Sequence, residues 1–521
     1  MNDPTEAIER AVAQVTDPTD IDQISAAVRA VSPAMVDDVI FGAASSTLGG
    51  AADGQLLGVG VAASPGTGLG VVALTAAAAL EVWEAGRDVV LVCDETSPAD
   101  EPALRVASAV VTRRGGVSSH AAIVARQWGV PAVCGIGALA VAEGATLLVD
   151  GSTGEVRLLG ADDEAAGSPA DEAVARAHHE GGPLQQLTPA LETLLGWADQ
   201  LASPRIAVLA NADLPADAQL ARDLGAAGIG LCRTEHQFLG ERAALVASII
   251  GGDAEAIAHM VELQRADLAG VLEAMEGLAV TIRLLDAPLH EFDPTRREHN
   301  PMLGLRGVRL AVVHPEVVVA QAEAIAHAIA DFGASSGEAG APDVRVMVPM
   351  VALAAEMTAV RALLDDTFFR VGLERGLTLQ IPIGTMIETP RAALCADSLA
   401  TRCDFFSFGT NDLTQLTWGF SRDDLDASLI PAYRAQGLID RSPFETLDGN
   451  GVVRLMALAA ETGRTANPQL GLAMCGEHGG DPASIAMAVQ LRLDSVSVSP
   501  YRVPAARLAA ALAVIGPARA T

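Results

Sequence analysis

The sequence predicts a two-domain α/β protein in which a compact α/β unit is followed by a (β/α)8 barrel. Three observations carry that expectation. The chain has 521 residues, 50% hydrophobic and 19% charged, a globular composition too long for one ordinary domain. Short β-like runs alternate with helical ones over residues 55–159, and eight strand candidates recur between longer helical stretches from residue 205 onward.

Residues 1–54 read as a short helical cap. Ala, Ile and Val recur at helical spacing in TEAIERAVAQV and DIDQISAAVRAV, and the second run stops before Pro33. Residues 55–159 carry the runs GVGVAAS, VVALTA, DVVLVC, SAVVTRR, PAVCGIG and ATLLVDGSTGEVRLL, the pattern of a small α/β domain. Residues 160–195 begin with a stretch rich in Ala, Gly, Pro and acid and read as a flexible linker.

Residues 196–521 hold RIAVLAN, GIGLCR, VTIRLLD, VRVMVPM, LQIPIGTMIE, FFSFGTND, LAMCGE and SVSVSP, eight strands for a barrel. Asn211, Arg233, Arg283, Glu388, Asn411, Asp412 and Cys475 all fall where these strands end. Barrel active sites lie on that face.

Charge narrows the function. The net charge is −31 with a pI near 4.6, so the surface repels nucleic acid and acidic lipid. The sequence has no Lys, and its 34 basic side chains are all Arg, which excludes Schiff-base chemistry and a phosphate-loop lysine. Anionic ligands must then be held by arginines, backbone N–H groups or a metal. Six cysteines form no CxxC pair, the start lacks a basic then apolar signal, and no 18 apolar residues run together. A cytoplasmic protein without membrane spans is expected.

GGVSSHAAIVARQWGVPAVCG (115–135) joins a glycine pair, two serines and a histidine to an Ala-rich helical run. His120 should therefore sit at a helix N-terminus, where free N–H groups favour an anion such as a phosphate on the imidazole, with Ser118 or Ser119 as the cap. With ETSP (95–98), VVTRRGG (110–116) and SHAAIVAR (119–126), this region resembles the swivelling phosphohistidine domain of the phosphoenolpyruvate-utilising enzymes.

The barrel resembles the same family through GIGLCRTEHQF, TIRLLDAPLHEF, NPMLGLRGVRL, GTMIETPRAAL, FFSFGTNDLTQLTWGFSRDD, CGEHGG and VSPYRVPAARLA. The wording is closest to its pyruvate phosphate dikinase branch. The resemblance implies that His120 carries phosphate and that Cys475 is the acid/base at C3 of the enolate. It also implies that Arg233, Arg283, Arg306, Asn411 and Gly476 hold the substrate. Glu388 and Asp412 are implied to bind Mg2+, which suits hard carboxylate ligands completed by water and substrate oxygens.

The implied reaction is phosphoenolpyruvate + His = pyruvate + phospho-His, with a homodimer through the barrel. Residues 1–54 are too short for the nucleotide-binding domain of a complete dikinase. Onward exchange with a separate nucleotide-binding or phosphoacceptor protein is therefore expected. The pattern also departs at Cys93, where dikinases carry an arginine. Alternative readings are a non-catalytic sensor of phosphoenolpyruvate or pyruvate, and an enzyme I-like donor to a phosphocarrier.

Overall fold

The computed structural model describes residues 3–47, 54–96, 100–116, 119–159, 187–238, 242–250, 252–292, 298–336, 343–425 and 429–516. Most of the expected linker, residues 160–186, lies outside the described residues. The chain divides into two compact units. One comprises residues 1–201, 420–445 and 507–521, and the other residues 202–419 and 446–506.

The first unit opens with helices Pro4–Ala13, Ile21–Ala30 and Pro33–Thr47. Asp3 and Asp20 cap the first two by accepting hydrogen bonds from first-turn N–H groups, which explains why each helix starts where it does. Eight strands follow: β1 (Gln55–Val59), β2 (Val61–Ser64), β3 (Thr67–Ala73), β4 (Val89–Cys93), β5 (Ala109–Thr112), β6 (Ala132–Cys134), β7 (Thr146–Asp150) and β8 (Glu155–Leu158). They make one sheet in the order β1-β8-β7-β3-β4-β5-β6-β2.

Strands β3 to β6 run parallel and the remaining pairs antiparallel. Alternation along β4 shows how the sheet is buried on both faces. Val89 and Leu91 pack into one apolar cluster, and Val90 and Val92 into the other. The two edge strands, β1 and β2, are consecutive in sequence and joined by Gly60 alone. A Cβ at Gly60 would lie 2.7 Å from both the Cys134 carbonyl oxygen and a Val133 methyl, so only glycine lets the chain cross there.

In the second unit β9 (Ala207–Asn211), β10 (Gly228–Arg233), β11 (Ala279–Arg283), β12 (Asp343–Val348), β13 (Ile383–Ile387), β14 (Phe405–Gly409), β15 (Gly471–Cys475) and β16 (Ser495–Val498) form a closed barrel. Every neighbouring pair is parallel, and β16 returns to β9. The expected α/β fold with a (β/α)8 barrel is what the structure has. Leu231, Met347, Met386, Phe405 and Cys475 pack together as one buried cluster. Thr281, Thr385, Ser407 and Ser497 are buried polar side chains within the strands, whereas the buried acids Asp213, Glu235, Asp286 and Glu388 lie in the segments that follow the strand ends.

Candidate active site

Three arginines gather where the barrel strands end, Arg283 and Arg306 buried and Arg233 half-buried, each tied to an acid. Arg233, the last residue of β10, donates from Nη2 to Asp213 at 2.7 Å, and its backbone N–H reaches the same carboxylate at 2.7 Å. Asp213 also meets His236 at 3.0 Å. Burial alone would raise the Asp213 carboxyl, but Arg233 and His236 override it and hold it well below the usual range.

Arg283, the last residue of β11, pairs with Glu235 and lies 3.3 Å from Asp286. Arg306 meets the same Oδ2 of Asp286 at 2.7 Å and reaches Asp412 at 3.6 Å. Asp286 thus bridges two guanidiniums while almost wholly buried. Arg283 Nε and Glu235 Oε2 are buried with no hydrogen-bond partner among the described residues, a donor and an acceptor left for a ligand. Arg283→Met keeps most of the stem but leaves the buried Glu235 uncompensated and Asp286 with Arg306 as its remaining guanidinium. Urea denaturation should show a loss of about 3–5 kcal/mol.

Glu388 follows β13 and is buried, its Oε1 accepting the Met350 N–H at 2.6 Å. Burial first, then the charges of Asp286 and Asp412, push its carboxyl up to about 8. Asp412 lies in the first turn of the helix Thr410–Trp418. Among the described residues the carboxyl groups of Asp213, Glu235, Asp286, Glu388 and Asp412 outnumber the guanidiniums of Arg233, Arg283 and Arg306, and the raised Glu388 is the one that burial and its acidic neighbours keep protonated.

Among the described residues no three His, Cys, Asp or Glu side chains form a ready metal cage. The donor set fits a hard cation that takes two carboxylates and fills its other positions from water and substrate.

Cys475 ends β15, buried, with its Sγ accepting the Ser407 hydroxyl at 3.5 Å. Burial pushes the thiol up to about 11 against the lowering effect of that hydrogen bond. The next residue, Gly476, has φ +103°, and a Cβ there would lie 2.6 Å from Thr410 Oγ1 and 3.0 Å from Asn411 Oδ1. Glycine is therefore needed both for the backbone conformation and for the close approach. Asn411 Oδ1 accepts the Glu477 N–H at 3.2 Å, and Asn211 accepts the Ser497 hydroxyl.

Residues 191–514 match the family model described as "PEP-utilising enzyme, PEP-binding domain", where PEP is phosphoenolpyruvate, and residues 85–154 match "PEP-utilising enzyme, mobile domain". The chain belongs to the PEP-utilising enzymes. It is 41% identical to pyruvate, phosphate dikinase of Rhizobium meliloti, over 94% of this chain and 56% of that relative. It is also 41% identical to pyruvate, phosphate dikinase 1 of Arabidopsis thaliana, over 88% of this chain and 50% of the relative. The corresponding figures for pyruvate, phosphate dikinase 2 of Zea mays are 41%, 88% and 55%. The chain spans about half the length of the curated relatives it matches.

The structure brings Arg283, Arg306, Glu388 and Asp412 into one electrostatic group, and ties the segment of Cys475 and Gly476 to that of Asn411 through the Glu477 N–H to Asn411 bond. Arg233 joins the first group through its influence on Arg283. In the other unit His120 is the first residue of the helix His120–Trp128, and Ser119 is its cap, accepting the Ala122 N–H at 3.4 Å. Ser118 lies outside the described residues. Cys93 is a half-buried thiol at the end of β4, pushed up to about 12 by burial and then by Asp100.

Sequence reasoning passed over Asp213, Glu235, Asp286 and His478, although every one but Asp213 lies inside a quoted motif. The absence of Lys and the run of strand-end arginines were a signal to look for their counter-ions.

Proposed function

We propose that this protein transfers a phosphoryl group between PEP and His120, giving pyruvate and phospho-His120. The observation that carries the reading is the barrel site itself: the buried Arg283 and Arg306 with the half-buried Arg233, a cluster of carboxyl groups and a protonated thiol, within the region matched by the PEP-binding model. Arg233, Arg283 and Arg306 orient the phosphate and carboxylate, since this chemistry needs mainly position and charge stabilisation. Asn411 and Gly476 shape the substrate's bed.

The P–O bond of PEP breaks as the imidazole N–P bond forms, and the departing electron pair leaves as the enolate of pyruvate. Cys475 gives its proton to C3, and solvent restores the thiol. Glu388 and Asp412 would hold Mg2+, which would neutralise oxyanion charge. Adding Mg2+ at 100 times its dissociation constant should stabilise the wild type by about 2.7 kcal/mol and leave Glu388→Gln nearly unchanged, as read by thermal unfolding.

The raised thiol has a pH consequence. Below about 11 the proton is present on Cys475, so acid function is available throughout the neutral range and is lost only as pH rises through that value. Pyruvate formation should therefore show no thiol-dependent fall between pH 7 and pH 9. A fall centred near an ordinary cysteine value would contradict the assignment.

The reading extends to exchange with a separate nucleotide-binding or phosphoacceptor protein and to a homodimer through the barrel. Phe369 and Leu373, 69% and 67% exposed on one face of the helix Ala354–Arg375, support such a contact. The last residues of the expected linker 160–195 instead begin the helix Pro189–Ala202, whose Leu191, Leu194 and Leu195 are fully buried. No helix among the described residues is long and apolar enough to cross a membrane.

Incubation with Mg2+ and PEP labelled in the phosphate tests the function. Acid-labile protein phosphate with one pyruvate per label is the expected result. Tight PEP binding without label or pyruvate would overturn it.

A further inference from the structure

We propose that His478 is a positioning residue that fixes the thiol of Cys475 by way of Thr410; the inference rests on the reaction proposed above. Thr410 Oγ1 donates to the Cys475 carbonyl oxygen at 2.9 Å and lies 2.8 Å from His478 Nδ1. A hydroxyl has one proton, and a carbonyl can only accept. The Thr410 proton is therefore committed to Cys475, and His478 must present Nδ1–H to the hydroxyl oxygen. Thr410 and His478 are fully buried and Cys475 is 1% exposed, so water does not replace either bond.

The chain His478–Thr410–Cys475 closes a tight turn. Cys475, Gly476, Glu477 and His478 are consecutive, and Thr410 and Asn411 begin the helix that also carries Asp412. A second bond, Glu477 N–H to Asn411 Oδ1 at 3.2 Å, and the closeness of Gly476 to both side chains tie the same two segments. The segment bearing the proton donor is thereby locked to the segment bearing the residues proposed for substrate and metal. His478 touches no reacting atom. It sets where the thiol stands relative to C3, and a displacement of about 1 Å can cost on the order of 100-fold in rate.

The experiment measures single-turnover pyruvate formation from PEP with Mg2+ in the full chain, as a limiting rate and a half-saturating PEP concentration. His478→Leu should slow the limiting rate roughly 10- to 100-fold and move half-saturation less than about 3-fold. The solvent deuterium isotope effect should rise, because proton donation to C3 becomes slower than phosphoryl transfer. His478→Asn should recover most of the rate, since its amide N–H can occupy the Nδ1–H position. Thr410→Val should reproduce the loss, and the double variant should be no slower than either single one, because both break one chain.

If His478→Leu does not fold, Thr410→Val and His478→Asn carry the test. A wild-type limiting rate in Thr410→Val, or equal losses in His478→Asn and His478→Leu, overturns the inference. A wild type that makes no pyruvate overturns the reaction itself, and is told apart by needing no variant.

Discussion

His120→Ala is expected to lose all acid-labile protein phosphate while the barrel keeps exchanging the methyl hydrogens of pyruvate with solvent. The loss of label should be complete, because His120 is the phosphate carrier in the proposed reaction. Unfolding would not explain it. Ser119 remains to cap the helix His120–Trp128, and alanine is the best helix former, so the local structure should hold.

Retained exchange follows from the division of the chain. Arg283, Arg306, Glu388, Asp412 and Cys475 all belong to the second compact unit, whereas His120 belongs to the first. Mass spectrometry of the intact protein and proton NMR of pyruvate in deuterated buffer read the two halves separately. Label persisting in His120→Ala would place the phosphate elsewhere.

Cys475→Ala should give the complementary result, with hydrogen exchange at C3 slowed about 10²- to 10⁴-fold and PEP binding little changed. The side chain is buried beside Leu231, Met347, Met386 and Phe405, so its removal leaves a small apolar gap rather than an orphaned charge. Cys475→Ser keeps a group that can bond to Ser407, yet a hydroxyl gives up its proton far less readily than the thiol. Its rate should stay close to that of the alanine variant. Wild-type exchange in both variants would remove Cys475 from the chemistry and leave it as packing.

Much of this architecture was legible. All eight barrel strands coincide with apolar runs, since each must bury side chains between the barrel interior and the outer helices. The errors were at boundaries, and each has a cause. LQIPIGTMIE pairs only from Ile383, directly after Pro382, whose missing N–H cannot enter a ladder. FFSFGTND stops being strand at Gly409, and Asn411 and Asp412 ride on the helix that starts at Thr410. GVGVAAS reads as one run but divides at Gly60 between opposite sheet edges.

At the site, the arginines and most of their acidic partners lay in the motifs, whereas which acid meets which arginine could not be read from them. Asp286 lies three residues past β11 and Asp213 two past β9, on segments whose paths no periodicity describes. The hydroxyl of Thr410 likewise meets a histidine 68 positions away in the chain, a relation that only folding creates.

The crossing at Gly60 has a consequence for life in a crowded solution. A sheet normally ends in two rows of unpaired amides that can recruit a strand from another molecule. Here one continuous segment supplies both margins, and each margin is only as long as Gln55–Val59 or Val61–Ser64. The histidine-bearing unit therefore offers neighbours little template for fibril-like growth, a useful property for a body that would have to leave one docking place and travel to another.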